Sequence, residues 1–139
     1  MKGRYIIMKE MSRREARIKA FEIIFMIDTC EIDYELLRLQ EELASHRKHF
    51  NYIKSVVTKA VENLDLVDEK INECLADGWS LNRLSKMSRG ILRLAISEIM
   101  FMDDIPNNVS INEAVEIAKI YCDDNEPSFI NGLLAKVVK

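Results

Sequence analysis

Apolar residues recur along the chain at the three- and four-residue spacing of amphipathic helices. The first segment shows this clearly, since Ala16, Ala20, Ile23, Ile24 and Ile27 form one stripe along a helix surface. No run alternates apolar and polar residues over enough positions to indicate a β-strand. The pattern predicts an all-α protein of about seven helices, with starts near residues 12, 33, 50, 79, 88, 110 and 128.

Residues 87–102 are apolar almost all the way round, which is typical of a helix enclosed by other helices. The exception on the far side from Arg89 and Arg93 is Glu98, a lone carboxylate on an apolar face. A buried carboxylate is costly without a cation or hydrogen-bond donors. Glu98 therefore needs a partner, either inside the fold or on another chain that docks on this face. The apolar side chains around it are Ile91, Leu94, Phe101 and Met102.

Two short sequences have the form of a capping box, in which a serine and a glutamate three residues later bond each other's backbone N–H. Ser12 with Glu15 predicts the start of the first helix, and Ser110 with Glu113 predicts the start of the sixth. Gly78 is expected to end a single long helix that begins at Phe50.

The charge of the chain is unevenly distributed. The net charge is −3, but residues 1–20 carry seven basic and two acidic side chains, a net +5, which leaves −8 for the remainder. A basic end on an acidic body indicates a polyanionic partner bound at one place.

The first helix carries arginines where the helix dipole does not favour them. Arg14 and Arg17 share a face with Phe21 and Phe25, and a basic rim with aromatic side chains can hold single-stranded nucleic acid. The alternative is a solvated charged turn, with both phenylalanines packed on the second helix. Phe129 lies about 100° from the apolar stripe of the last helix and is expected at the edge of the core.

The chain lacks the usual signatures of catalysis and of metal binding. Cys30, Cys74 and Cys122 form no metal-ligand or disulfide pattern, and His46 and His49 have no ligand partners at suitable spacing. There is no phosphate loop, metalloprotease motif or recognisable nucleophile turn. The apolar runs are too short for a membrane span or a signal peptide. We expect a soluble, cytoplasmic protein without cofactor, metal or enzymatic activity.

Five segments in register resemble the NusB family of bacterial transcription antitermination factors. They are Arg13–Arg17, the segment from Trp79 to Glu98, Ile105–Pro106, Ile111–Lys119 and Ser128–Gly132, and the match spans about residues 12–138. The resemblance implies two small helical bundles that share the long helix, about 12–77 and 78–139, within one domain of residues 12–139. Residues 1–11 lie outside the family pattern and are expected to be a poorly structured basic extension.

The resemblance also implies a function. A NusB-like protein binds boxA RNA in nascent ribosomal RNA transcripts together with the ribosomal protein NusE, and the complex joins RNA polymerase and promotes read-through of terminators. The implied RNA-facing residues are Arg13, Arg14, Arg17, Phe25 and Phe129. The implied NusE-facing surface is the central helix around Glu98. The alternative function is an RNA-free helical adaptor or a homodimer.

Overall fold

The computed structural model describes residues 12–30 and 49–139, apart from the side chain of Cys30. These residues contain no strand, and the predicted all-α class is confirmed. The predicted second helix and the N-terminal extension lie outside the described residues. The helices are α1 (Arg13–Cys30), α2 (Phe50–Glu62), α3 (Leu64–Cys74), α4 (Lys86–Phe101), α5 (Asn107–Tyr121) and α6 (Glu126–Val137), with a 3-10 turn at Leu81–Arg83.

Helix α4 is the centre of the fold, as its all-round apolar pattern predicts. It packs against each of the other five described helices, and Ile91, Leu92 and Ile96 are fully buried. Gly90 allows the close approach of α1, because a Cβ at this position would lie 3.1 Å from Cε1 of Phe21. A side chain at position 90 would therefore require the Phe21 ring to move by a few tenths of an ångström.

The prediction of one long helix from Phe50 to Gly78 is wrong. The chain leaves helical geometry at Asn63, which has φ −120° and ψ 29°, and α3 begins at the next residue. The side-chain amide of Asn63 donates to the carbonyl of Lys59 at 3.0 Å. Asparagine competes in this way with backbone hydrogen bonds and favours helix ends. Gly78 has a positive φ of 87° in a turn after α3 rather than at its end.

One of the two predicted capping boxes is confirmed. Glu15 N donates to Ser12 Oγ at 3.1 Å, and Ser12 N donates to Glu15 Oε1 at 2.8 Å, so α1 starts as predicted. The sixth predicted helix, α5, instead begins directly after Pro106, and Ser110 N already bonds the carbonyl of Pro106. The predicted cap at Ser110 is therefore wrong. Helix α4 begins at Lys86 with Ser85 as its cap, slightly before the predicted start near residue 88.

The buried apolar side chains form one cluster. It contains residues from both predicted sub-bundles, for example Ala20 and Val57 from the first and Ile117 and Leu134 from the second. The division into two sub-bundles stays a prediction. Trp79, in the segment before α4, is half exposed, and the guanidinium of Arg83 lies 5.0 Å from the centre of its ring. None of the described helices is long and apolar enough to cross a membrane.

Candidate nucleic-acid interface

The candidate interface is the start of α1, whose first two turns carry three arginines directly after the capping residue Ser12. Arg13 is exposed, and 51% of the Arg14 side chain is accessible. Arg17 lies one turn further on and is only 4% exposed. Arg17 is therefore buried where Arg13 and Arg14 are accessible, and the RNA contacts of all three arginines stay a prediction.

Arg14 is held in place by a carboxylate from α5. Its Nε donates to Glu113 Oε1 at 3.0 Å and its Nη2 to Glu113 Oε2 at 2.8 Å. The hydrogen bond from Arg14 lowers the pKa of Glu113, since it stabilises the ionised carboxylate. This paired geometry fixes one edge of the guanidinium and leaves the rest of the side chain accessible.

The partner of Glu98 is inside the fold. Its Oε2 accepts a hydrogen bond from Arg17 Nε at 2.8 Å and one from the Tyr52 hydroxyl, and its Oε1 accepts one from Ser110 Oγ at 2.7 Å. Glu98 is 1% exposed. Burial disfavours the charged form of Arg17, but the hydrogen bond and the charge of Glu98 outweigh it and raise the pKa of the guanidinium. We refer to Arg17, Tyr52, Glu98 and Ser110 as the Glu98 cluster.

This geometry contradicts the prediction that Glu98 lies on a docking surface. Ile91 and Leu94 are as deeply buried as Glu98 itself, and Phe101 and Met102 are partly buried against the same core. A partner chain has no access to the carboxylate without opening the helix packing. Of the two alternatives that the sequence leaves open, the internal partner is the one found.

The two aromatic candidates differ in their surroundings. Phe25 is partly buried, with its ring centroid 6.1 Å from that of Phe21 and its Cβ beside Gly90 on α4. Phe129 lies on the first turn of α6 with 37% of its surface exposed, as expected for the edge of the core. Among the described residues, neither ring makes a cation–π contact with Arg13, Arg14 or Arg17.

Sequence reasoning missed three residues at this site: Tyr52, Ser110 and Glu113. Ser110 and Glu113 carried a signal, but it was assigned to the capping box, whereas their side chains reach α4 and α1. Tyr52 had no distinguishing pattern.

Comparison with known proteins gives a consistent result. The family model described as "NusB family" matches residues 14–139. The transcription antitermination protein NusB of Oceanobacillus iheyensis is 39% identical over 128 residues, which cover 92% of this chain and 99% of the relative. The solved structure of T. maritima NusB has a TM-score of 0.79 at 36% identity, with 92% of this chain and 91% of that chain covered. A crystal structure of the antitermination factors NusB and NusE in complex with dsRNA has a TM-score of 0.77 at 26% identity, with 90% and 94% covered.

Proposed function

The chain belongs to the NusB family, and from this premise we propose that it is a transcription antitermination factor that binds boxA-like RNA together with a NusE partner. The observation that carries the proposal is the exposed arginine edge at the start of α1. Arg13 and Arg14 are accessible there on a turn that a capping box and Glu113 hold rigid. Cations fixed in this way can meet phosphates with little loss of side-chain freedom.

The complete role includes loading of the RNA-bound complex onto RNA polymerase and read-through of terminators in ribosomal RNA transcripts. The solved complex of NusB with NusE and dsRNA supports the RNA and NusE part of this role. Membership of a family named for antitermination also supports a binding function rather than an enzymatic one. The cytoplasm, where transcription takes place in bacteria, is the location that follows from this role.

The test replaces Arg13 and Arg14 by alanine and measures RNA affinity across a range of salt concentrations, with and without NusE. If the two side chains contact two phosphates, the slope of log affinity against log salt becomes shallower by about 1.4 for single-stranded RNA. Arg17 is left intact because its loss would also disturb the core.

The matched control removes the same charge elsewhere, with Lys70→Ala on α3 and Lys86→Ala at the start of α4. Lys70 is paired with Glu73 at 3.0 Å much as Arg14 is paired with Glu113. The control should leave the slope unchanged. If the protein is an RNA-free adaptor, the unmodified protein should show no salt-dependent RNA binding. That result would reject the proposed function.

A further inference from the structure

Glu126, the first residue of α6, ties that helix to the start of the central helix α4. Its Oε1 accepts hydrogen bonds from Ser85 Oγ at 2.6 Å and from Ser88 Oγ at 2.8 Å. Its Oε2 accepts one from the backbone N–H of Asp123 at 2.9 Å. The hydrogen bond from Ser85 lowers the pKa of Glu126, so the carboxylate is ionised at neutral pH. We refer to Ser85, Ser88 and Glu126 as the Glu126 bridge.

The bridge takes the place of a conventional cap on α6. Asn125 precedes the helix with a helical backbone, φ −87° and ψ −18°, and its side chain makes no capping hydrogen bond. An asparagine at this position ordinarily accepts a hydrogen bond from a first-turn N–H. The backbone hydrogen bond from Phe129 N to the carbonyl of Asn125 is also long, at 3.3 Å. The position of the first turn of α6 therefore depends on the carboxylate of Glu126.

On the side of α4 the bridge is anchored in a buried helix start. Ser85 is the cap of α4, and its Oγ accepts a hydrogen bond from Ser88 N at 3.1 Å while it donates to Glu126. Ser88 is only 1% exposed. The same hydroxyl groups thus cap one helix and hold the next, so the bridge fixes α6 relative to the centre of the fold.

Phe129 lies one turn after Glu126 on the same helix. Residues three apart on a helix are neighbours on its surface, so the place that the bridge gives to the first turn also sets the place of this ring. The next residue, Ile130, is fully buried, whereas Phe129 is an exposed aromatic side chain. The ring is therefore presented to solvent from a turn that is fixed by Glu126 on one side and by the core on the other.

The surroundings of Phe129 are acidic, which makes a third carboxylate there unfavourable for RNA unless it has another role. Asp123 and Asp124 in the loop before α6 are exposed, and the charge of Glu126 adds to their repulsion of a phosphate backbone. RNA contact at this end of the protein therefore has to come from the ring. An aromatic contact depends on the orientation of the ring rather than on charge.

We propose that Glu126 is a positioning residue for RNA binding, whose hydrogen bonds to Ser85 and Ser88 fix the first turn of α6 so that the Phe129 ring is held ready to stack on a base. The inference rests on the proposed RNA binding and deepens it, because it names the group that orients this aromatic contact. Glu126 itself touches no RNA in this role. A ring that is oriented before binding loses less conformational freedom when the RNA arrives.

The test measures the affinity of the full chain, with NusE present, for a boxA-like single-stranded RNA over a range of salt concentrations. Glu126→Ala should lower the affinity by about 3- to 10-fold, a part of the roughly 5- to 150-fold that stacking of one base contributes. The slope of log affinity against log salt should stay unchanged, because stacking releases no counter-ions.

The matched control is Asp124→Ala, which removes the same charge two residues before the bridge. Loss of a negative charge beside an RNA-binding surface should leave the affinity unchanged or slightly raised. The two variants therefore separate the charge of Glu126 from its hydrogen bonds, since the charge alone predicts that both variants behave alike.

The decisive measurement is the coupling between Glu126 and Phe129. In the Phe129→Ala background, Glu126→Ala should cause no further loss of RNA affinity, because the ring that it positions is absent. Ser88→Ala breaks the bridge from the side of α4 without changing any charge, and it should reproduce a smaller loss of the same kind. This variant carries the measurement if Glu126→Ala does not fold. Thermal unfolding of each variant gives the folded fraction by which its affinity is corrected.

If the unmodified protein binds RNA and Glu126→Ala behaves like Asp124→Ala, the positioning role is wrong while the proposed function stands. The same conclusion follows if the losses of Glu126→Ala and Phe129→Ala add, or if Glu126→Ala changes the salt slope. If the unmodified protein does not bind RNA, the proposed function fails and the positioning role fails with it.

Discussion

At the scale of single residues, the Glu98 cluster shows what a buried charge requires. One carboxylate accepts from three side chains, each on a different helix, and these partners lie 81, 46 and 12 residues away in the chain. Helical periodicity correctly predicts that Glu98 faces the core and needs a partner. It cannot identify the partner, because the spacing of residues on one helix says nothing about which other helices pack against it.

Replacing Glu98 by glutamine should lower the free energy of unfolding by about 3 kcal/mol, because Arg17 would remain as a buried cation without its counter-ion. Urea denaturation measures this change. Glu116→Gln removes a carboxylate from the surface pair with Lys119 and is the control, for which we expect almost no change. An unaltered midpoint for Glu98→Gln would contradict the internal pairing.

Phe129 and Phe21 provide a contrast between an exposed ring and a buried one. Phe129→Ala should weaken RNA binding by about 1–3 kcal/mol if the ring stacks on a base, with a small effect on unfolding because the side chain is already partly in water. Phe21→Ala should cost about 3–5 kcal/mol of stability, since this ring is buried against Gly90. Both quantities are measured on both variants. A large stability loss for Phe129→Ala with unchanged RNA affinity would reassign that ring to the core.

At the scale of helices, the errors of prediction have two causes. Ser12 and Glu15 bond each other as their sequence suggests, but Ser110 and Glu113, with the same spacing, bond Glu98 and Arg14 instead. Local sequence predicts a local interaction, and a charged partner from another helix can replace it. The break at Asn63 has a different, local origin, because the side-chain amide of Asn63 donates to the carbonyl of Lys59 within a helical pattern that otherwise continues on both sides.

The role of Ser110 can be tested with a double-mutant cycle. Ser110→Ala should destabilise the protein by about 1–3 kcal/mol, because Glu98 loses a donor inside the core. In the Glu98→Gln background the same change should cost clearly less, since the two residues form one network. Thermal or urea unfolding of the four proteins gives the coupling. Additive losses would indicate that Ser110 acts as a helix cap after all.

At the scale of the whole molecule, ion pairs join distant parts of the described chain. Arg89 on α4 donates to Asp28 on α1 at 2.7 Å, and Arg93 donates to Asp68 on α3 at 2.9 Å. Ser85 and Ser88 at the start of α4 donate to Glu126 on α6. The contacts of Arg89 and Arg93 explain why these two arginines lie on an otherwise apolar helix. The all-α class could be predicted from periodicity, whereas this set of pairings could not.

Stability should decrease in acid. Burial alone would raise the pKa of Asp28, but the hydrogen bond from Arg89 and the charge of Arg93 outweigh burial and lower this pKa overall. A hydrogen bond from Arg14 lowers the pKa of Glu113, and one from Ser85 lowers the pKa of Glu126. For each carboxylate the pKa in the folded state lies below that in the unfolded state. Its contribution to the free energy of unfolding is therefore complete above about pH 5 and is lost as the pH falls through the folded-state pKa.

Urea midpoints measured from pH 7 to pH 3 check this expectation. The midpoint should be nearly constant down to about pH 5 and then decline. Asp28→Asn should be less stable at neutral pH and should show a smaller decline in acid, since it cannot take up the proton. A midpoint that is independent of pH throughout this range would contradict the role of these carboxylates.

The central position of α4 also has a consequence for how the protein is made. Ribosomes synthesise α1, α2 and α3 before the helix on which all three pack, so the apolar faces that contact α4 have no partner until residue 101 has been synthesised. At about 5–20 residues per second, the roughly 40 residues from the end of α2 to the end of α4 take about 2 to 8 seconds to synthesise. During that interval the nascent chain exposes its first helices to chaperones, and a pause in translation within α4 would lengthen that exposure.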